Sequence, residues 1–499
     1  MSGSSVLPGE LDRFLALPRP VGLLVRGGPG TGRTLLARAI ASQVEGSGVL
    51  LTDEASPSLA TEGLATRSGP VSVRRIYEMT AGRDRVHPLD APPTPGGPPP
   101  VGRASCAVLV VDSWDAFADH MLSHARRGGE AAETERGLFE WISRGAERVI
   151  AIAGQGRTTA IEYRVDGIVE MLQTHADERA ERWLRIIKLR DVEIARTNYP
   201  FTLSEGRFRA FSPLTADALT GFAFTAAERD PEPRASTLWP GAADFAAAFG
   251  RLPGGGVTFI ETDASIPPPI QLALAAPVFT QVFLHEERAV LIPPPTVFPS
   301  MIWAYLRATI PPDRLPALIA RFHDKVRLLA ATADGSNDPD FGQSVLPLRE
   351  YEADSPFLST SPDQAESNGS PLDSPVPRFP TLVQFLNEAP GERFSSEVVF
   401  VDGLVAAARE IGSGYTAQAL ASVIQRDLLA PKVHVVIIGR DDDPLTRPFP
   451  GTAAIHIRLV QRQGRYFVRG IRPWTGNFVL LPPASGDSPA TPYRLAPVS

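Results

Sequence analysis

Residues 21–44 of the 499-residue chain read "VGLLVRGGPGTGRTLLARAIASQV". An apolar run of strand length comes first, a glycine-rich turn follows it, and an apolar helical pattern begins directly after the turn. Strand, tight glycine loop and helix in this order are typical of α/β folds that are built on a parallel sheet. We therefore predict an α/β domain organised around this strand.

The glycine-rich turn from Gly27 to Thr34 matches the phosphate-binding pattern G-x-x-x-x-G-K-[ST] at every position except one. In that pattern the glycines let backbone N–H groups converge on a phosphate, and the following helix adds the positive end of its dipole. We predict that one continuous segment binds ATP: Gly27, Gly28, Pro29, Gly30, Thr31, Gly32, Arg33, Thr34 and Leu35. The alternative is a glycine-rich turn without a ligand.

Arg33 is the departure, because the pattern has lysine at this position. Lysine carries a compact point charge, whereas arginine is longer, planar and forked, so the two are not interchangeable at a tight site. Arginine keeps the positive charge, and we therefore expect phosphate binding to persist. A misplacement of about 1 Å in the transferring group costs on the order of 100-fold in rate. We predict slow hydrolysis, with Arg33 among the catalytic residues.

Two side chains are the predicted Mg²⁺ ligands. Thr34 follows the basic residue of the loop, where the pattern has a metal-binding hydroxyl. Asp112 ends the apolar run "AVLVVD", and an aspartate at the carboxyl end of such a strand holds the Mg²⁺ shell. The alternative for Asp112 is an ordinary aspartate at a strand end. Asp115 is interpreted as a solvated residue at the start of the next helix.

Apolar runs alternate with helical patterns through the N-terminal part of the chain. The strand-like runs "GVLLTDE", "CAVLVVDS" and "ERVIAIAG" are separated by amphipathic segments such as "TERGLFEWISRG". This alternation is typical of a parallel sheet that helices cover on both faces. The segments "GIVEML", "RWLRIIKLR" and "FTLSEGRFRAF" follow, and they predict an antiparallel extension at one edge of the sheet.

The order of these segments returns in the second half, from "GGGVTFIETD" at Gly254 to "NFVLLPP". We therefore predict a tandem duplication. At the position of the phosphate loop the second copy has "ETDASIPPPIQLAL", where Pro267 to Pro269 remove three backbone N–H donors. Asp402 keeps the strand-end aspartate without a loop beside it. We predict that this half binds no phosphate.

Composition and charge exclude several classes of function. A net charge of −7 and a pI near 5.7 give no basic field, so strong binding to nucleic acid is not expected. Cys106 is the only cysteine, which excludes an intrachain disulfide and favours a reducing, cytoplasmic compartment. No secretory signal and no apolar stretch of ~18 residues is present, so we expect no membrane association. His120 and His124 are interpreted as a solvated helix face.

The loop, Asp112 and further segments together resemble the RecA-fold ATPases of the KaiC branch. The segment "TDEASP" aligns Glu54 with a glutamate that activates the attacking water in that family. The segments "EYRVDG" and "IIKLR" resemble the end of the family's ATPase domain. The resemblance implies that Lys188 and Arg190 reach the γ-phosphate held by a neighbouring subunit, and hence a homo-oligomer. The alternatives are a solvated acidic turn around Glu54 and a solvated basic strand face.

Within this branch the chain resembles the archaeal GvpD-type proteins, which are P-loop regulators associated with gas-vesicle operons. The segments that carry the resemblance are "LPGELDRFLALP", "VVDSWDAF" and "YPFTLSEGRFRAF". The resemblance implies a regulatory function and a regulatory protein partner.

We predict tandem RecA-like α/β domains, each a mostly parallel sheet with helices on both faces, of which the second is degenerate. The predicted segments are an ATPase domain at 1–215 with a mobile proline-rich loop at 87–103, a linker at 216–237, a degenerate domain at 238–485 with a disordered insertion at 352–380, and a tail at 486–499.

The leading hypothesis is an ATP-binding protein with slow Mg²⁺-dependent hydrolysis and a role in regulation or assembly control. The alternative is a catalytically silent scaffold that binds nucleotide or nothing. A third hypothesis is a DNA-associated recombinase paralogue, for which salt-dependent binding to DNA is the test.

Overall fold

The computed structural model of the chain describes residues 6–44, 48–52, 64–68, 106–124, 131–143, 146–155, 160–213, 231, 237–267, 270–271, 274–275, 277–278, 288–292, 326–330, 345–347, 397–401, 433–440, 442–443, 446–447, 449–482 and 493–498. The predicted catalytic residue Glu54, the predicted loop at 87–103, the predicted insertion at 352–380 and Asp402 lie outside these ranges. The chain divides into two compact units, 1–212 with 497–499 and 213–496. The predicted boundary between the domains is residue 215.

The first unit contains a nine-stranded sheet with the order β3-β2-β4-β5-β1-β6-β7-β8-β9. Its strands are β1 (Val21–Gly27), β2 (Gly48–Thr52), β3 (Leu64–Ser68), β4 (Cys106–Asp112), β5 (Ala146–Gly154), β6 (Gly167–Ala176), β7 (Arg179–Leu189), β8 (Asn198–Thr202) and β9 (Arg209–Ala210). Strands β3 to β6 in this order pair in parallel, and β6 to β9 pair antiparallel. The predicted mixed α/β sheet with an antiparallel edge is therefore confirmed.

Helices cover both faces of this sheet. They are α1 (Gly9–Leu15), α2 (Arg33–Gln43), α3 (Trp114–His124) and α4 (Ala131–Ser143), with 3₁₀ turns at Ala160–Tyr163 and Ser204–Gly206. Side chains of β1 alternate between two buried clusters, because successive residues of a strand point to opposite faces. Leu23 and Val25 pack with α1 and α2, whereas Leu24 packs with α3 and α4.

The second unit contains a ten-stranded sheet with the order β15-β14-β13-β16-β17-β12-β18-β19-β20-β21, and a separate pair, β10-β11. The strands are β10 (Thr237–Leu238), β11 (Leu252–Pro253), β12 (Val257–Thr262), β13 (Arg288–Ile292), β14 (Val326–Ala330), β15 (Val345–Pro347), β16 (Glu397–Val401), β17 (Val433–Arg440), β18 (Ile455–Arg462), β19 (Arg465–Arg472), β20 (Asn477–Leu481) and β21 (Arg494–Pro497). Its helices with described bounds are α5 (Ala243–Phe249) and the single turn α6 (Phe449–Thr452), and residues 270–271, 274–275 and 277–278 are helical as well.

The two sheets share one strand order. Strand β12 lies between β17 and β18, parallel to both, as β1 lies between β5 and β6. The second sheet has one additional strand, β15, at its edge. Strands β3, β10, β11, β14 and β15 were not predicted, and β21 lies in the segment predicted as a tail. The origin of the second unit as a degenerate copy stays a prediction.

In the part of the chain that the structure describes, none of the helices combines the length and the apolar character that crossing a bilayer requires.

His434 is a buried histidine in the second unit, and both of its ring nitrogens have a polar neighbour. Its Nδ1 lies 2.7 Å from the Pro253 carbonyl oxygen, and its Nε2 lies 3.0 Å from Thr258 Oγ1. A neutral ring satisfies both neighbours, donating from Nδ1 and accepting at Nε2. Burial disfavours the charged form and lowers the pKa of His434 to about 4.

We predict that the second unit loses stability as the pH falls from about 6.5 to about 4. In this window the unfolded chain binds a proton at His434 that the folded chain does not, so the loss reaches about 2 kcal/mol at pH 5. Hydrogen exchange of β12 and β17 in the full chain, corrected for its intrinsic pH dependence, measures this loss. His434→Gln should flatten the pH dependence, whereas His175→Gln, at an exposed histidine, should not. An unchanged slope in His434→Gln contradicts the prediction.

Candidate functional site

The glycine loop leaves the sheet at the carboxyl end of β1. Gly30 and Gly32 have φ values of 73° and 88°, a left-handed region that favours glycine. A Cβ atom at Gly27 would lie 2.8 Å from the Met171 carbonyl oxygen, and one at Gly32 would lie 2.6 Å from Leu203 Cδ1. The loop conformation therefore requires glycine at these positions.

Helix α2 begins directly at the end of the loop. The Leu36 N–H donates to the Gly32 carbonyl oxygen at 2.9 Å, and the Thr31 hydroxyl donates to the Gly28 carbonyl oxygen at 2.8 Å. The first turn of α2 carries no acidic residue, so no carboxylate of that turn neutralises the positive end of the helix dipole. Such a helix start favours the binding of an anion.

The two predicted Mg²⁺ ligands are in contact. Thr34 Oγ1 donates a hydrogen bond of 2.6 Å to Asp112 Oδ2. Thr34 lies in the first turn of α2, which follows β1. Asp112 is the last residue of β4, which lies two strands from β1 in the sheet. Among the described residues no group of three or more His, Cys, Asp or Glu side chains could hold a metal. A hydroxyl with one carboxylate fits Mg²⁺, which takes few protein ligands and completes its shell with phosphates and water.

Arg33 is half-buried and hydrogen-bonded to the backbone. Its Nη1 donates to the Ala153 carbonyl oxygen at 2.7 Å, near the end of β5. Because β5 pairs with β1, this carbonyl lies beside the strand that leads into the loop. The guanidinium is thus held next to the loop by a contact between residues that are 120 positions apart.

Lys188 and Arg190 lie away from the loop of their own chain. Lys188 pairs with Ile168, which pairs with Leu24, three residues before Gly27. The backbone of Lys188 is therefore ~10 Å from the loop along the strands and ~10 Å across the sheet. Its ammonium donates to the Val165 carbonyl oxygen at 2.8 Å. Burial, and then the nearby Arg190 charge, lowers the pKa of Lys188.

Asp166 links Arg190 to Arg19 and to the backbone at the start of β1. Its carboxylate accepts from Arg190 Nη1 at 3.2 Å, from Arg19 Nη1 at 3.0 Å and from the Gly22 N–H at 3.0 Å. Nearby, Glu162 forms an ion pair with Arg26, the residue that precedes the loop. The conspicuous "EYRVDG" segment thus anchors the amino end of β6 to β1.

Asp115 is not the solvated residue that the sequence predicts. It is half-buried, and its Oδ2 accepts a hydrogen bond of 2.5 Å from the Gly154 N–H. The two residues are 39 positions apart, and no local pattern of the sequence relates them, so this contact was not predicted. Glu135 was missed for the same reason, and it accepts from Trp114 Nε1 and from the Ala160 N–H.

We predict that Gly32→Ala lowers the stability of the first unit by about 1–3 kcal/mol. The alanine would have to adopt a left-handed backbone conformation, and its methyl group would clash with the Leu203 side chain. Gly137→Ala is the matched control, because a Cβ there meets open space within α4 and alanine favours a helix by up to about 1 kcal/mol. Thermal unfolding of both variants measures the difference. A Gly32→Ala protein as stable as the parent contradicts the required loop conformation.

Comparison with known proteins gives two matches. The chain is 25% identical to the protein GvpD2 of Halobacterium salinarum over 62% of this chain and 65% of that protein. It is 26% identical to GvpD1 of the same organism over 43% of this chain and 42% of that protein. It therefore spans less than two thirds of the length of either relative. No family model matches the sequence. These matches confirm the predicted resemblance to the GvpD-type proteins.

Proposed function

We propose that the first unit binds Mg²⁺ and ATP at residues 27–35 and hydrolyses ATP slowly, as a RecA-like protein of the KaiC branch. The observation that carries this proposal is the 2.6 Å contact between Thr34 and Asp112 beside the glycine loop. A hydroxyl and a carboxylate at this point form the metal-binding pair of P-loop proteins. The start of α2 next to them favours a phosphate.

In this proposal the loop residues, Asp112 and Glu54 have separate roles in binding and hydrolysing Mg-ATP. The backbone N–H groups from Gly30 to Thr34, together with the start of α2, bind phosphate oxygens. Thr34 and Asp112 hold Mg²⁺, which neutralises charge on the transferring phosphoryl group. Glu54, whose place lies outside the described residues, would orient the attacking water.

Arg33 is the reason to expect slow turnover. Its guanidinium has five N–H donors, and one of its nitrogens donates to Ala153. A planar group fixed at one end adapts less well than lysine to the charge that develops on the transferring group. Binding depends on the positive charge, which Arg33 retains, whereas the rate depends on its position.

Lys188 and Arg190 act across a subunit interface in this proposal. Their distance from the loop of their own chain supports a role in a neighbouring site, and so a homo-oligomer. A cation supplied by a neighbour would couple hydrolysis to assembly. Their contacts with Val165 and Asp166 would keep both side chains ordered in the free subunit.

A regulatory function in the cytoplasm is the proposed output. The relationship to the GvpD proteins supports it, with the control of gas-vesicle genes as the specific form and a regulatory protein as the partner. The second unit, which repeats the strand order of the first, would be a degenerate RecA-like copy used for packing or partner binding. Proline at position 267, at the place of a second loop, supports the loss of phosphate binding there.

We predict that the purified full chain binds ATP in a Mg²⁺-dependent manner. Thr34→Ala should weaken Mg-ATP binding about 10-fold or more, because it removes a metal ligand, and should leave binding of metal-free ATP within about twofold. Thr174→Ala, at an exposed threonine of β6, is the matched control. Titration calorimetry with and without Mg²⁺ measures both. Absence of binding at millimolar ATP ends the proposal.

We predict that Arg33→Lys raises the single-turnover rate of ATP hydrolysis by about 10-fold to 100-fold. Glu54→Gln in the Arg33→Lys background should abolish this gain. Native mass measurement with and without ATP tests the oligomer. A chain that binds ATP but hydrolyses none, with or without Arg33→Lys, is the silent scaffold rather than a slow ATPase.

A further inference from the structure

One peptide group at the end of β5 is held by two charged side chains. The Ala153 carbonyl oxygen accepts from Arg33 Nη1 at 2.7 Å, and the Gly154 N–H donates to Asp115 Oδ2 at 2.5 Å. The carbonyl of residue 153 and the N–H of residue 154 belong to the same peptide. Arg33 and Asp115 are therefore linked through a single planar unit.

The strand order explains why these two side chains meet there. Strand β5 lies between β1 and β4 in the sheet. Arg33 belongs to the segment that follows β1, and Asp115 to the segment that follows β4. A trans peptide directs its C=O and its N–H in opposite directions. Each side chain thus approaches the end of β5 from its own side.

The two hydrogen bonds strengthen each other. A carboxylate that accepts from an N–H polarises the peptide, and the carbonyl at its other end becomes a better acceptor. One bond has a cationic guanidinium as donor and the other has a carboxylate as acceptor. Both bonds are therefore charge-assisted and stronger than bonds between neutral groups. The negative charge of Asp115 therefore tightens the hold of Ala153 on Arg33 by acting through the peptide that lies between them.

We propose that Asp115 is a positioning residue that fixes the guanidinium of Arg33 beside the phosphate loop through the Ala153–Gly154 peptide. This inference rests on the proposed binding of ATP. The arginine side chain is longer than lysine and has many rotamers. Its guanidinium therefore samples many positions unless a hydrogen bond anchors it. One bond to Ala153 anchors it and leaves other N–H donors of the same group for a phosphate.

The test is a double-mutant cycle on ATP affinity in the full chain. Asp115→Asn keeps the shape and an acceptor oxygen but removes the charge, and it should weaken ATP binding about 10-fold when Arg33 is present. In the Arg33→Ala background the same change should weaken binding by less than about twofold, because no guanidinium remains to be positioned. Equal losses in both backgrounds overturn the proposal. Glu147→Gln, at an exposed residue of the same strand, is the matched control.

Amide exchange at Gly154 tests the peptide link without nucleotide. Arg33→Ala should speed exchange of the Gly154 N–H several-fold, and the single change Asp115→Asn should speed it more than Arg33→Ala does. In both variants the amides in the middle of β5 should stay protected. An unchanged Gly154 amide in Arg33→Ala overturns the link, and loss of protection throughout β5 does so as well. A parent chain that shows this link but binds no ATP refutes the proposed function instead.

Discussion

The position of β1 constrains the whole first unit. It pairs in parallel with β5 on one edge and with β6 on the other, and its side chains are buried on both faces. A strand held on four sides cannot shift its register without exposing a hydrophobic face. Strand β1 ends at Gly27, whose position is therefore fixed. This fixes where the loop begins and where α2 starts.

Three strand ends meet around this fixed point. The loop comes from β1, Asp112 from β4, and the Ala153–Gly154 peptide from β5. In a parallel sheet the carboxyl ends of neighbouring strands lie along one edge, which is where open α/β sheets bind ligands. Lys188 lies in β7 and Arg190 directly follows it. Strand β7 runs antiparallel, so its carboxyl end lies toward the amino ends of the central strands. The direction of a strand thus separates the two groups of predicted site residues.

The second unit has a sheet of matching strand order but different side chains at the matching positions. At the level of Arg26 in β1 it has Glu261 in β12, which accepts a hydrogen bond from His456 at 2.9 Å. This hydrogen bond lowers the pKa of Glu261, and its effect outweighs that of burial, which raises the pKa. The same strand order therefore carries an Arg26–Glu162 ion pair in one sheet and a Glu261–His456 pair in the other. The architecture depends on apolar strands, and the chemistry depends on the residues at the ends of those strands.

The sequence by itself determined the elements and the chemical types of the site. The strand, loop and helix of residues 21–44, the hydroxyl of Thr34 and the carboxylate of Asp112 at the ends of their elements, and the antiparallel edge all follow from local spacing, because hydrophobic period and glycine placement act over a few residues. Only the tertiary structure decided that Arg33 meets Ala153, that Asp115 meets Gly154 and that Lys188 lies far from the loop. These contacts span many residues, and the order of strands in the sheet, which no local pattern encodes, determines which chain segments become neighbours.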